Sequence, residues 1–413
     1  MKLFQQVLVA GASLSLITPT VAQASDVNFE EMNSYSRSSK SSSKRIDSKT
    51  FSNEIANINE RVDNIESSLN GLEAGGFSDT TVLDGKAIFD LGSVDTDDDT
   101  YTGTTQFMYT YTMNLNSSFT GDDNLYTRIK TGNHSSWSKT KSVYNTYLSS
   151  GNGNSNALKV DKLWYTTPVG EKHTVTVGPL IENYYMHATT PSIYEPVLKA
   201  FTLGGNAAGY GASTSPGAGW AYRADNGFAV SSNVTSKNPV LTDEAASSWA
   251  TQVGYTQSNY SVSALLNVKA NGWTDSYFMT TDGKARPNEG GSSNVGLRSW
   301  WRPENSSTAV PSISVGYDFS DTDATANSDT NAYFVGLNWT DVINPDDKIG
   351  LALGQPQKRG DETIDPFLYE LYYKFKVNDS ITMTPTLFGG TSKNTSNKEA
   401  VMTGVLLQTT FKF

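Results

Sequence analysis

The links between the apolar segments of this chain take turns, short then long, over most of its length. Read back from Phe413, the short links are 377–379, 344–347, 303–308, 257–259, 225–226, 168–172 and 120–124. The long ones are 356–365, 320–330, 269–292, 236–246, 181–216, 133–157 and 92–104. The segments between them alternate with period two. Phe107, Tyr109, Tyr111, Met113 and Leu115 fall on one face of a strand, and Met108, Thr110, Thr112 and Asn114 on the other. Phe367, Tyr369, Leu371, Tyr373 and Phe375 repeat the pattern against Glu370, Tyr372, Lys374 and Lys376. A soluble β-sandwich would bury one face of every strand in a shared core and would not need alternating turn lengths. Tight turns at one end and long loops at the other mark an all-β transmembrane antiparallel barrel with strands of about 9–11 residues. The segments number about sixteen, an even number as single-chain bacterial barrels have. The 21 Tyr, 17 Phe and 8 Trp suit girdles at the two membrane interfaces.

Two stretches resist assignment by alternation. In 158–167, either Val160 and Trp164 or Leu163 and Tyr165 could face lipid. Pro385 cannot donate to a ladder, which predicts a bulge there.

The first residues carry other signals. Lys2, an apolar run from Leu8 to Ile17 and Ala22-Gln23-Ala24 read as a signal peptide over 1–24. Residues 25–50 form a polar, Ser-rich linker with too little apolar surface to fold. Residues 51–76 then carry Ile55, Ile58, Val62, Ile65, Leu69 and Leu72 at spacings of three and four, the seam of a coiled coil. Isoleucine at both seam positions favours three strands, so a homotrimer is expected. The barrel occupies 80–413.

Charged residues opposite the apolar sets belong inside the barrel, because each would cost ~2–4 kcal/mol on the lipid face near the midplane. Arg128, Lys130, Arg223, Arg298, Arg302, Lys374 and Lys376 are the candidate pore-lining residues, a basic wall that would favour anions or polar neutral solutes. They could equally pair with acidic loop residues. The link 181–216 is the longest, and a loop of that length needs a task. It is expected to fold inward and narrow the passage, with Glu182, His187, Glu195 and Lys199 at the constriction and a helical turn or two within 194–201.

Other functions find little support. With no cysteine and 3 histidines, a thiolate metal site, a Cys nucleophile or a His-based triad is not expected, and neither an enzyme nor a cofactor is read from the chain. A net charge of −11 argues against nucleic acid. The acidic run 95–103 lacks the glycine and terminal glutamate of a calcium loop and reads as solvated.

The stretches "TTVLDGKAIFD", "KLWYTTPVGEKHTVTVGP", "LYELYYKFKVNDSITMTP" and "LLQTTFKF" resemble the cyanobacterial outer-membrane porins, relatives of the carbohydrate-selective porins. The resemblance spans about residues 51–413. It implies a trimeric barrel in the outer membrane, with the coiled coil in the periplasm. Such a barrel passes inorganic ions and small hydrophilic solutes, or, more selectively, carbohydrates or iron species. A structural or adhesive barrel with a plugged lumen is the remaining alternative. Family members usually carry a surface-layer-homology domain before the coiled coil. Residues 25–50 are too short and polar for one, which puts contact with peptidoglycan in doubt. The final alternation places Phe413, Phe411, Leu407 and Val405 toward lipid, and Lys412, Thr410 and Gln408 toward the lumen. Phe411 and Phe413 also resemble the terminal signal by which such barrels engage the barrel-assembly machinery.

Overall fold

A computed structural model describes residues 80–140, 144–205, 208–210, 214–240, 242–273, 290–304, 309–323, 329–394, 396 and 398–413. The signal peptide, linker and coiled-coil seam lie outside the described residues.

The strands are β1 (Thr81–Thr96), β2 (Gln106–Ser117), β3 (Asn124–Gly132), β4 (Lys159–Val169), β5 (His173–Ile181), β6 (Ser215–Arg223), β7 (Phe228–Ser236) and β8 (Ser247–Thr256). They continue as β9 (Tyr260–Ala270), β10 (Ser292–Trp301), β11 (Ser312–Thr322), β12 (Thr330–Thr340), β13 (Lys348–Arg359), β14 (Phe367–Asn378), β15 (Ile381–Lys393) and β16 (Glu399–Lys412). Each pairs antiparallel with its neighbours in sequence, and β16 returns to β1, so the sixteen strands form a closed barrel with no free edge. Closure is regular: Phe411 lies opposite Ala87 and Leu407 opposite Leu91.

The outward face carries the apolar alternation. Phe107, Trp249, Leu297 and Tyr317 are half or more exposed, which water would penalise and lipid rewards. On β4 both readings of the sequence are partly right. Asp161 is left over by a bulge between Arg128/Lys162 and Ile129/Val160, so Val160, Leu163 and Tyr165 share the outward face while Trp164 turns inward. Pro385 marks no bulge: its register with β16 is unbroken opposite Leu407. The irregularity of β14 against β15 falls instead between Lys376 and Asn378.

The inward face is not uniformly polar. Phe334, Leu368, Phe388, Met402 and Leu406 point inside, where they are buried with Trp137, Tyr144 and Leu148 from the loop after β3 and with Tyr194, Leu198 and Phe201 from the loop after β5. The barrel's apolar core is thus made by loops lying against its inner wall.

Candidate functional site in the lumen

The loop 182–214 is tied to the inner wall strand by strand. Ala188 N–H donates to Ser231 Oγ on β7 at 3.0 Å, and Thr189 N–H to Gln252 Oε1 on β8 at 2.9 Å. Trp300 on β10 donates its indole N–H to Thr190 O at 3.0 Å, and Ile193 N–H reaches Ser314 Oγ on β11 at 3.1 Å. On β14, Glu370 accepts from Tyr194 Oη at 2.9 Å, Val197 N–H at 3.1 Å and Leu198 N–H at 2.6 Å. These side chains sit at alternate strand positions, so inward projection follows from the pleat. Glycine makes the approach possible. A Cβ on Gly336 would lie 2.6 Å from Tyr194 Cγ, and one on Gly316 would strike the Gly204 carbonyl oxygen. The helical turns fall at Asn183–Met186 and Lys199–Gly204, overlapping the expected span only at its end.

A second loop, 133–158, enters beside the first. His134 Nε2 lies 2.9 Å from Asp90 Oδ2 on β1, and Ser150 Oγ donates to the same oxygen at 2.7 Å. Gln408 on β16 donates to Asp90 Oδ1 at 2.9 Å. The two loops join where Ser149 N–H meets Val197 O and Lys199 N–H meets Tyr147 O, both at 2.7 Å.

The expected constriction residues lie in different surroundings. Glu195 accepts from Lys374 Nζ at 2.7 Å through one oxygen and from Lys348 through the other. Burial alone would raise its pKa, but the two ammonium groups hold it down at about 2. Glu182 pairs with Lys162 at 2.9 Å. The Lys199 ammonium lies 5.1 Å from the Tyr147 ring centroid. His187 departs from the expectation. It is buried against the wall, with Nδ1 3.4 Å from Ser231 Oγ and its ring edge-on to Tyr210. Burial pushes it down to about 3, leaving it neutral.

The basic wall also needs correction. Arg128 lies inside, bonded to Asp161 by Nε at 2.8 Å and Nη2 at 2.6 Å. Lys130 and Lys374 also face inward. Arg298 faces inward but lines no open passage. It is buried, its Nη2 donates to both carboxylate oxygens of Asp318 at 2.9 and 2.8 Å, and its Nε donates to Leu203 O at 2.8 Å beneath the loop. Arg223 likewise holds the loop, donating to the carbonyls of Ala188 at 3.1 Å and His187 at 3.3 Å. Arg302 lies past the end of β10 and donates to Ser258 O at 2.7 Å, so it stands at the short-turn rim. Lys376 is at the same rim, 2.8 Å from Asp346 in the β12–β13 turn. Sequence reading missed Asp90 and Glu370 as loop anchors. A lone carboxylate opposite an apolar alternation was the available signal for Glu370. Among the described residues no cluster suited to a metal ion is present.

The barrel fold is similar to that of known structures. A loop-deletion mutant of OmpT, an outer membrane protein of Vibrio cholerae, superposes with a TM-score of 0.53 over 81% of this chain and 99% of its own, at 13% identity. A triple mutant of Rhodopseudomonas blastica porin gives 0.51 over 81% of this chain and 100% of its own, at 11% identity. At that identity these likenesses concern the fold. Among sequences, an uncharacterized protein of Nostoc sp. is 27% identical over 420 residues, 88% of this chain and 70% of that protein. An uncharacterized protein of Synechocystis sp. is 32% identical over 137 residues, 32% of this chain and 25% of that protein. The family profile described as carbohydrate-selective porin, OprB family, matches residues 48–413, nearly the whole chain and all of the barrel. The chain therefore belongs to the carbohydrate-selective porin, OprB family.

Proposed function

We propose that inorganic ions and small hydrophilic solutes cross the outer membrane by passive diffusion through this barrel, in the part of the lumen left open by the loop after β5. The observation that carries this reading is the attachment of residues 188–198 to inward side chains of β7, β8, β11 and β14. A loop fixed along the wall narrows the passage without depending on the outer surface. Glu182, Glu195 and Lys199 act at the constriction. The seam from Ile55 to Leu72 assembles three copies on the periplasmic side. Planar-bilayer recording tests the reading. The full-length protein should give ohmic steps, and deleting part of 186–212 should enlarge them. Silence would favour a plugged structural barrel, and unchanged steps after the deletion would remove the constriction role.

Carbohydrate selectivity is a second reading, supported by the family's description. Its mark is block of the ion current by sugars at millimolar concentration.

A further inference from the structure

Two pairs of lysines face each other directly across strands with no carboxylate between them. On the inward face Lys412 of β16 lies opposite Lys86 of β1, and Lys130 of β3 lies opposite Lys159 of β4. Thr112 of β2 joins the pairs, being opposite both Lys86 and Lys130. The result is one row, Lys412–Lys86–Thr112–Lys130–Lys159, crossing five adjacent strands. Like charges directly opposite destabilise a sheet. A third inward pair shows how the protein compensates elsewhere: Lys348 faces Lys374, and the two oxygens of Glu195 take one ammonium each. The row has no such partner. None of its lysines is within ion-pair distance of a carboxylate among the described residues.

The row runs through the wall rather than around it. Strands in such barrels tilt by about 35–45°, so a line perpendicular to them climbs. At one end Lys412 donates its N–H to Ser380 O in the short β14–β15 turn. At the other, Lys159 is the first residue of β4 after the long loop 133–158. Four inter-strand steps of about 4.8 Å give a track of roughly 19 Å.

We infer that this row is a binding track for small oxoanions, which bridge opposed ammonium groups as the Glu195 carboxylate bridges Lys348 and Lys374. The inference rests on the diffusion reading above. Free solute supplies the charge that the fold withholds, and successive lysines pass it along the wall. A carboxylate or phosphate offers two oxygens to a pair, whereas chloride offers a single centre.

The test is single-channel recording of the full-length protein in potassium chloride, with inorganic phosphate or acetate added. The wild type should prefer anions by reversal potential, and phosphate should reduce the current. In the triple variant K86Q/K130Q/K412Q, anion preference should fall several-fold. The phosphate concentration for half-block should rise about tenfold or more, a loss of about 1.4 kcal/mol. K86R/K130R/K412R should retain both properties, which separates loss of charge from damage to the barrel. Wild-type channels without anion preference, or a glutamine variant as phosphate-sensitive as the wild type, would overturn the track and leave the diffusion reading intact. Absence of channels in the wild type would overturn both.

Discussion

Glu370 takes the backbone N–H of Leu198 at 2.6 Å, in the interior of the barrel and 172 residues away in sequence. The same carboxylate holds Val197 N–H and Tyr194 Oη. A carboxyl group with no solvent contact is costly unless its oxygens are satisfied, and here the loop supplies the donors. The dependence is mutual, since two backbone donors of the loop have their acceptor on β14.

Glu370→Ala should therefore release the loop rather than unfold the barrel. Each orphaned buried donor costs about 1–3 kcal/mol, while the strand ladders of β13, β14 and β15 stay intact. Expected outcomes are larger, noisier single-channel currents and faster proteolysis within 188–205. Currents and cleavage equal to wild type would show that the Glu370 contacts do not hold the loop.

The Arg298–Asp318 pair should behave differently, because it is buried on both sides. Arg298→Leu takes the ion-pair partner from the buried Asp318 carboxylate and a donor from Leu203 O, so a loss of about 3–5 kcal/mol is expected. R298M/D318L should recover much of it, since removing both charges removes the desolvation cost. Urea unfolding in detergent, followed by tryptophan fluorescence, measures all three proteins. A single variant as stable as wild type would contradict the pairing.

Loop attachment should weaken with acid in two steps. His187 is held at about 3 in place, against about 6.5 when released and solvated. A depressed histidine favours the docked state fully above about 6.5 and loses that contribution as pH falls toward 3. Glu195 is held at about 2, against about 4.3 when free, so its bridge is complete above about 4.3 and is lost below it. Current noise should thus rise first between about pH 6.5 and 5. His187→Asn should abolish that first rise and leave the second, below about pH 4.3. A first rise that survives in His187→Asn would assign it to another group.

Period two and turn length were sufficient to read the sixteen strands and their order, because outward residues meet lipid at every second position. The parity of β4 was not legible. Its bulge at Asp161 lets Val160 and Leu163 share a face that strict alternation denies them. The inner packing was also hidden. Phe334, Leu368 and Phe388 stand on the face expected to be polar, and only the loops above them explain why. The two opposed lysine pairs depend on register, and one of them on barrel closure between β16 and β1, which are 326 positions apart at Lys86 and Lys412. No local pattern announces such a pairing. Arg298 and Arg223 bond to the loop after β5, and alternation cannot tell a wall facing water from one covered by a loop.

Phe413 lies at the seam where the barrel closes. Gly85 N–H donates to its carbonyl at 2.9 Å, its own N–H returns to Gly85 O at 3.2 Å, and its ring stacks on Tyr111 with centroids 5.7 Å apart. Eleven further pairs, Lys86↔Lys412 through Thr96↔Met402, hold β1 to β16 without it. Losing one terminal rung should barely change the stability of a barrel already closed. It should matter more before closure, when β16 presents an unpaired edge and its aromatic end must be recognised. Deleting Phe413 should lower the fraction of protein recovered folded in outer membranes, while the recovered protein unfolds in urea close to wild type. Phe413→Tyr should restore recovery. Normal recovery of the truncated chain would refute an assembly role. Low recovery together with a large loss of stability would assign the residue to the seam itself.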